Sequence, residues 1–287
     1  MMGYFLIFLN TVLAQGEGMI VRGYARRHGN GGMMMNAITA LFASLFFLVT
    51  DKGGFHVPPA MLPLALLNAC LFGAGFYFTY VAYRIGPYGL TRLLSGFYVL
   101  FTVFYGIVVL KEPTTPWIYL GIVLILVAMV LINGVKAAKE EEKGVSVKWL
   151  LSVLISLAAN GFIGILTRMQ QLKFENACSN EFQFISIGGS FVFLALLSLL
   201  SERKDLRRVL KTGSLYGLCT GVLNGAKNFI TLAIYLYLPL SVVSPMTMGL
   251  GFLATFATAL LLYKEKYTLQ QYIGIGVGVA ALFLLSI

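Results

Sequence analysis

Hydrophobic positions along the chain form ten runs, and short polar segments separate them. The runs do not alternate apolar and polar residues as barrel strands do, and their length is close to the roughly 20 residues that cross a bilayer as a helix. We therefore predict an all-α membrane protein with about ten transmembrane helices. The predicted spans are Gly3–Val21, Met33–Thr50, Met61–Tyr83, Tyr88–Leu110, Pro116–Asn133, Trp149–Met169, Phe182–Leu200, Leu215–Tyr237, Ser241–Tyr263 and Gln270–Ile287.

Composition agrees with a membrane protein. Of the 287 residues 59% are hydrophobic and 11% are charged, whereas a soluble domain carries about 25% charged residues. The net charge of +10 could suggest a nucleic-acid partner. The basic residues lie in short loops between the apolar runs, where Lys and Arg set the orientation of membrane spans. The expected partner is the lipid bilayer, and nucleic acid is not expected.

The two halves of the chain repeat one another. Adding 153 to a residue number carries Lys111-Glu112 onto Lys264-Glu265 and Gly121 onto Gly274. Five spans in each half is an odd number, so the halves must cross the membrane with opposite orientation. Inverted repeats of this kind are typical of transporters that bind substrate near the midplane. We predict a first five-helix repeat at 1–134, a charged linker at 135–148 and a second repeat at 149–287.

The repeated order of elements resembles a known family. Residues 80–131 contain a helix, the turn Gly86-Pro87, a helix that ends at Glu112, a short loop and a Gly-bearing helix; residues 233–284 repeat this order and include Glu265. This resembles the EamA-type module of the drug/metabolite transporter superfamily, duplicated over essentially the whole chain. The resemblance implies a secondary transporter whose central cavity is lined by both halves. It does not choose among the amino acids, bases, sugar derivatives and drugs that members move.

Charge in the loops predicts an orientation. Loops after odd-numbered spans contain sixteen Lys and Arg residues, and loops after even-numbered spans contain four. This difference places the odd loops in the cytoplasm and both termini outside. The family resemblance implies termini inside, so the sign of the topology stays open.

Lys227 is the most informative residue. It lies ten to twelve residues from either end of the predicted eighth span, too deep for its side chain to reach the interface. Thr220, Asn224, Lys227 and Thr231 share one helical face, which we expect to line a polar cavity. The alternative is a structural lysine that joins helices through carbonyls or a carboxylate.

Glu17 is the second candidate, in the first span about one turn before Arg22. It either reaches the membrane interface or faces the cavity. In the cavity it would be the one span carboxylate able to take up a proton or to balance Lys227.

Other polar residues are candidates for cavity lining or for hydrogen bonds between helices. They are Tyr98 and Thr102 on the fourth span, Thr255 on the ninth and Asn160 on the sixth.

The sequence contains no phosphate-binding loop, no metal-ligand motif and no catalytic constellation, so we expect neither an enzyme nor a cofactor. We predict a gradient-driven transporter of small polar or charged organic metabolites in the cell (plasma or inner) membrane. An organic cation or multidrug exporter that uses Glu17 is the first alternative, and an ion channel or an intramembrane enzyme is the alternative from another class. A homodimer is compatible with the sequence, although ten spans can enclose a cavity alone.

Overall fold

The computed structural model describes residues 2–28, 32–51, 53–85, 91, 94–140, 146–203, 206–261 and 268–285, and these residues form no β-strand. Ten α-helices occur among them. In chain order α1 to α10 are Met2–His28, Gly32–Thr50, Leu62–Ile85, Val99–Phe104, Pro116–Glu140, Val147–Lys173, Ser179–Ser201, Leu206–Ile234, Leu240–Leu261 and Leu269–Leu284. A 3₁₀ turn, Pro59–Met61, precedes α3, and a π-helical segment, Tyr105–Val109, continues α4.

Each predicted span overlaps one of these α-helices. Within the described residues five helical segments are long and apolar enough to cross a membrane: Met2–Val21, Gly32–Thr50, Pro59–Ala82, Val147–Lys173 and Ser179–Leu200. Four shorter apolar helices lie at Leu94–Val109, Pro116–Ala128, Leu240–Ala254 and Leu269–Leu284. Helix α8 belongs to neither group, because it is rich in glycine and in charged and polar residues.

Large apolar side chains are exposed along the helices. Examples are Phe5, Phe8, Phe104, Leu196 and Phe283. A soluble monomer rarely exposes so many bulky apolar groups. Lipid is the environment in which this surface is stable.

The chain divides into two compact units. The first comprises Met1–Val12, Val81–Gly161 and Ile234–Ile287, and the second comprises Leu13–Tyr80 and Phe162–Ala233. These units group packed residues and do not test the division of the sequence into two repeats, which stays a prediction.

In the second unit α2 runs antiparallel to α7 and parallel to α8. Met34 contacts Glu202 just after α7, and Ser44 lies against Gly188, so residue numbers fall on α7 as they rise on α2. Along α8 the numbers rise together with those of α2, as the following pairs show: Ile38 with Gly217, Phe42 with Gly221 and Phe46 with Gly225.

Helix α3 runs parallel to α7. Asn68 donates a hydrogen bond to Ser186 at 3.2 Å, and Tyr80 donates one to Glu202 at 3.4 Å, so the residue numbers rise together. Because α7 is antiparallel to α2, and α8 is parallel to α2, α3 runs opposite to α8.

In the first unit α5 runs antiparallel to α10. A Cβ atom on Gly121 would lie 2.8 Å from Leu285, and one on Gly278 would lie 3.5 Å from Ala128. Because glycine has no side chain, the two helices can approach closely at these positions. Helix α10 begins with a capping box, in which Thr268 and Gln271 bond each other's backbone N–H groups.

Candidate functional site

The side chains of α8 meet α1 at a carboxylate. Lys227 Nζ lies 2.6 Å from Glu17 Oε2, and Asn224 Nδ2 donates a hydrogen bond to Glu17 Oε1 at 2.8 Å. Both oxygens of the carboxylate are therefore occupied. Asn224 and Lys227 are three residues apart, which places them on one face of the helix. All three residues lie in the second unit.

Asn228 fixes the direction of the Asn224 amide. Its Nδ2 donates to Asn224 Oδ1 at 2.8 Å and to the Asn224 carbonyl at 3.0 Å. Because the amide oxygen of Asn224 accepts from Asn228, its NH₂ group is turned toward Glu17. The sequence reasoning missed Asn228; its i+4 spacing from Asn224 was the signal that could have found it.

The ion pair is half-buried. The side chain of Glu17 is 15% exposed and that of Lys227 is 26% exposed. An isolated charge in such surroundings is costly, and the opposite charge with its hydrogen bonds offsets the desolvation. Part of each side chain remains exposed.

The ends of the two helices differ from the prediction. Helix α8 begins at Leu206 rather than at Leu215, and it ends at Ile234, so Lys227 lies 21 residues after the start and seven before the end. The seven residues span about 10 Å. The charged segment around Lys211, predicted as a loop, is the first part of α8, because neither Gly nor Pro interrupts it before Gly213.

Helix α1 continues to His28, eleven residues beyond Glu17. Eleven residues correspond to about three helical turns. The Glu17 carboxylate contacts Lys227 of α8. Whether it faces a cavity or reaches the membrane interface stays a prediction.

The two ends of the α8 stripe have other contacts. Thr220 shares a 2.7 Å hydrogen bond with Thr39 of α2 and donates to the Tyr216 carbonyl, so it joins two helices. Thr231 donates to the Lys227 carbonyl at 2.9 Å. The structure therefore brings Asn224, Lys227 and Glu17 together, whereas Thr220 faces α2.

The remaining candidates belong to the first unit. Thr102 is buried and donates to the Val99 carbonyl, and Asn160 donates to the Ser156 carbonyl at 2.7 Å. Tyr98 is half-buried on the helical turn before α4. The side chain of Thr255 lies outside the described residues. Cavity lining by these four residues stays a prediction.

Two further carboxylates bind backbone N–H groups at helix starts. Glu112 accepts from Leu240 and Ser241 at 2.9 Å each. Glu202 accepts from Met33 and Met34, and also from the hydroxyls of Tyr80 and Ser198. A carboxylate in this position satisfies donors that the first helical turn leaves unpaired, so both residues have a structural role.

The three cysteines are not paired with one another. Burial, and then the carboxylates of Glu181 and Asp51, raise the pKa of the Cys178 thiol, which favours its protonated form. Among the described residues no three His, Cys, Asp or Glu side chains are grouped as metal ligands.

Comparison with known proteins gives the family of the first part of the chain. The model of the EamA-like transporter family matches residues 1–134. This part of the chain is similar to the EamA-like transporter family. The EamA-like match and the apolar helices together indicate that the protein is an integral multi-pass membrane protein. The match also indicates transport of small molecules.

The whole fold also has a counterpart among solved structures. A protein crystal structure matches 99% of this chain and 98% of its own chain with a TM-score of 0.76 and 12% sequence identity. At this identity the likeness shows the fold alone. No curated protein matches the sequence. Glu17 lies in the part that the EamA-like model matches, and Asn224 and Lys227 lie after it.

Proposed function

We propose that the protein is a secondary transporter of small polar or charged organic metabolites that works by alternating access. The observation that carries this proposal is the half-buried ion pair of Glu17 and Lys227, which joins α1 to α8. Charged groups inside a membrane bundle are costly and usually mark a substrate or ion pathway. Together with the EamA-like match, the pair supports a binding site.

The proposal includes ten spans in two inverted five-helix repeats. Inversion requires each helix to run opposite to the helix five places later. The contacts described above agree for three such pairs: α2 with α7, α3 with α8, and α5 with α10.

Mirrored end contacts on α2 and α7 also support the inverted repeat. Glu202, just after α7, binds the first turn of α2. Asp51, just after α2, is close enough to Cys178, just before α7, to raise the pKa of its thiol. Each helix of this pair thus has an acidic residue just after its end.

An organic cation exporter is the second candidate, because it would use the Glu17 carboxylate, which lies beside Lys227. A cation that bound Glu17 would have to displace Lys227 and leave its ammonium without the carboxylate. We therefore rank it below a substrate that meets Lys227. We further propose that one copy of the chain suffices and that the protein resides in the cell membrane.

Counterflow in proteoliposomes tests the proposal. Vesicles loaded with unlabelled substrate should accumulate labelled substrate above its external concentration without any added nucleotide. A folded Lys227→Met variant should lose this accumulation, and Thr220→Val, on the same helix but facing α2, should retain it. Flux that never exceeds equilibration would identify a channel and contradict the proposal.

Orientation has a separate test. Single cysteines placed near Arg203 and near the termini can be labelled with an impermeant thiol reagent in intact cells, after replacement of the native cysteines. The charge count predicts labelling of the termini and protection of the Arg203 region. The reverse pattern would show that the protein has the orientation implied by the family resemblance.

A further inference from the structure

Two donors of α8 converge on the two oxygens of a single carboxylate. Lys227 Nζ and Asn224 Nδ2 lie 2.6 and 2.8 Å from Oε2 and Oε1 of Glu17. We propose that Lys227 and Asn224 form a receptor for the carboxylate of the substrate, and that Glu17 occupies this receptor as an internal ligand in the substrate-free protein. The inference rests on the proposed function and names its substrate class.

The geometry of the donors matches a carboxylate. One charged and one neutral donor bind the two oxygens of one planar group, which adds directional specificity to charge attraction. Asn228 holds the Asn224 amide with its NH₂ toward the receptor. One lysine balances one negative charge, so a singly charged carboxylate fits and a phosphate dianion would leave one charge uncompensated.

The surroundings of Glu17 allow its side chain to move. Gly16 and Gly18 flank it in α1. A Cβ on Gly18 would have no neighbour within 4 Å, whereas one on Gly16 would lie 3.6 Å from Leu223 of α8. Glycine also weakens a helix by about 1 kcal/mol relative to alanine. Glu17 is thus bound by exchangeable side-chain donors, with open space on its Gly18 side.

Exchange of the two carboxylates must conserve charge. A monocarboxylate that takes the place of Glu17 on Lys227 leaves the Glu17 carboxylate without its partner, so one proton from solution must neutralise Glu17. An amino acid needs no proton, because its ammonium can pair with Glu17. Among the described contacts, the groups that face Glu17 from α8 are the charged Lys227 and the neutral Asn224. Lower pH should therefore favour the monocarboxylate and leave the amino acid unaffected.

Thermal stabilisation of purified protein tests the receptor with three-carbon probes at matched ionic strength: propionate, alanine and propylamine. Propionate and alanine should raise the Tm of the wild type, and propylamine should not. Glu17→Gln removes the internal ligand, so propionate should act at about tenfold lower concentration, a gain of about 1.4 kcal/mol. In the wild type alanine should act at a lower concentration than propionate, because it needs no proton. This difference should disappear in Glu17→Gln. The Tm of Lys227→Met should rise with neither propionate nor alanine. The Tm of the control Thr220→Val should respond as that of the wild type does.

Three results would overturn the receptor. The first is stabilisation by propylamine that Glu17→Gln abolishes, since this assigns the site to cations. The second is a propionate response that persists in Lys227→Met. The third is the absence of any propionate response in Glu17→Gln.

The counterflow assay separates this inference from the proposed function. Carboxylate binding without counterflow would support the carboxylate receptor and contradict the proposed secondary transport. Counterflow of an organic cation, with no carboxylate binding, would support secondary transport and contradict the carboxylate receptor.

Discussion

Helix α8 contacts two neighbours in the second unit through opposite kinds of surface. Toward α2 it presents glycines at every fourth position, and a Cβ atom on Gly217, Gly221 or Gly225 would lie 2.5 to 2.6 Å from an α2 side chain. Toward α1 it presents Asn224 and Lys227, which bind Glu17 through side chains. Helix α1 also packs on α8, because Cβ atoms on Gly16 and Gly213 would lie 3.6 Å from Leu223 and 3.3 Å from Tyr24. The two contacts therefore differ mainly in the charged pair, which binds α1 to α8, and in the closer glycine packing against α2.

The two contacts have different roles: the contact with α2 supports α8, and the contact with α1 can exchange one carboxylate for another. Close glycine packing has no alternative partner, because any shift of the helices opens a gap or creates a clash. A carboxylate bound by an ammonium and an amide can be replaced by another carboxylate without moving the backbone. We therefore assign the contact with α2 to support of α8, and the contact with α1 to substrate binding.

Replacement of Lys227 should have the largest effect. The folded Lys227→Met variant should lose uptake of the native substrate by about 10- to 100-fold, because a hydrogen bond to a charged group contributes about 1.5–3 kcal/mol. Lys227→Arg should restore part of the uptake, since the guanidinium keeps the charge but differs in shape. Initial uptake rates in proteoliposomes measure both. Unchanged uptake by the folded Met variant would remove the α1 contact from the mechanism.

Gly221→Ala should destabilise the protein by about 1–3 kcal/mol, because its new methyl group would meet Phe42 at 2.5 Å and the Thr39 carbonyl at 2.8 Å. Gly276→Ala is the matched control, since no atom lies within 4 Å of its Cβ position. That variant should be neutral or more stable by up to about 1 kcal/mol. Unfolding in detergent compares the two, and equal stabilities would mean that glycine packing does not hold α8.

Glu202→Gln tests a carboxylate whose donors are mainly backbone groups, as a counterpart to Glu17. The change should lower stability by about 1–2 kcal/mol, because it weakens the bonds from Met33 and Met34 at the start of α2. Substrate affinity, measured on the folded fraction, should stay unchanged. A changed affinity with normal stability would show that the distinction between backbone and side-chain donors is wrong.

Thr220→Val should have the smallest effect. It removes the hydrogen bond to Thr39 in the contact with α2, and such bonds between membrane helices contribute about 0.6 kcal/mol. Uptake should match that of the wild type. A large loss of uptake would place substrate on the α2 side of α8.

Much of the fold could be predicted from the sequence. Apolar runs located ten helices, because length and hydropathy are local properties. The ends were less accurate: α8 begins nine residues before the predicted Leu215, since charged residues near a membrane surface can extend a helix as readily as form a loop. The spacing of Asn224 and Lys227 correctly placed them on one face.

The partners of that face could not be predicted in the same way. Glu17 and Lys227 are 210 positions apart, and periodicity within one helix gives no distance to another helix. The sequence could therefore only offer Glu17 as one of two alternatives. Thr220 lies on the same stripe, yet it turns to α2, because a stripe of this width can face two neighbours. Asn228 acts through Asn224, a role that depends on amide orientation.

The most direct test is the infrared difference spectrum of the wild type on addition of propionate. Glu17 should gain a proton as propionate takes its place on Lys227, so a protonated carboxyl band should appear. The band should be absent from Glu17→Gln and present in Glu202→Gln. A spectrum without a new protonated carboxyl, or the same band in Glu17→Gln, would contradict the claim that substrate and Glu17 share one receptor.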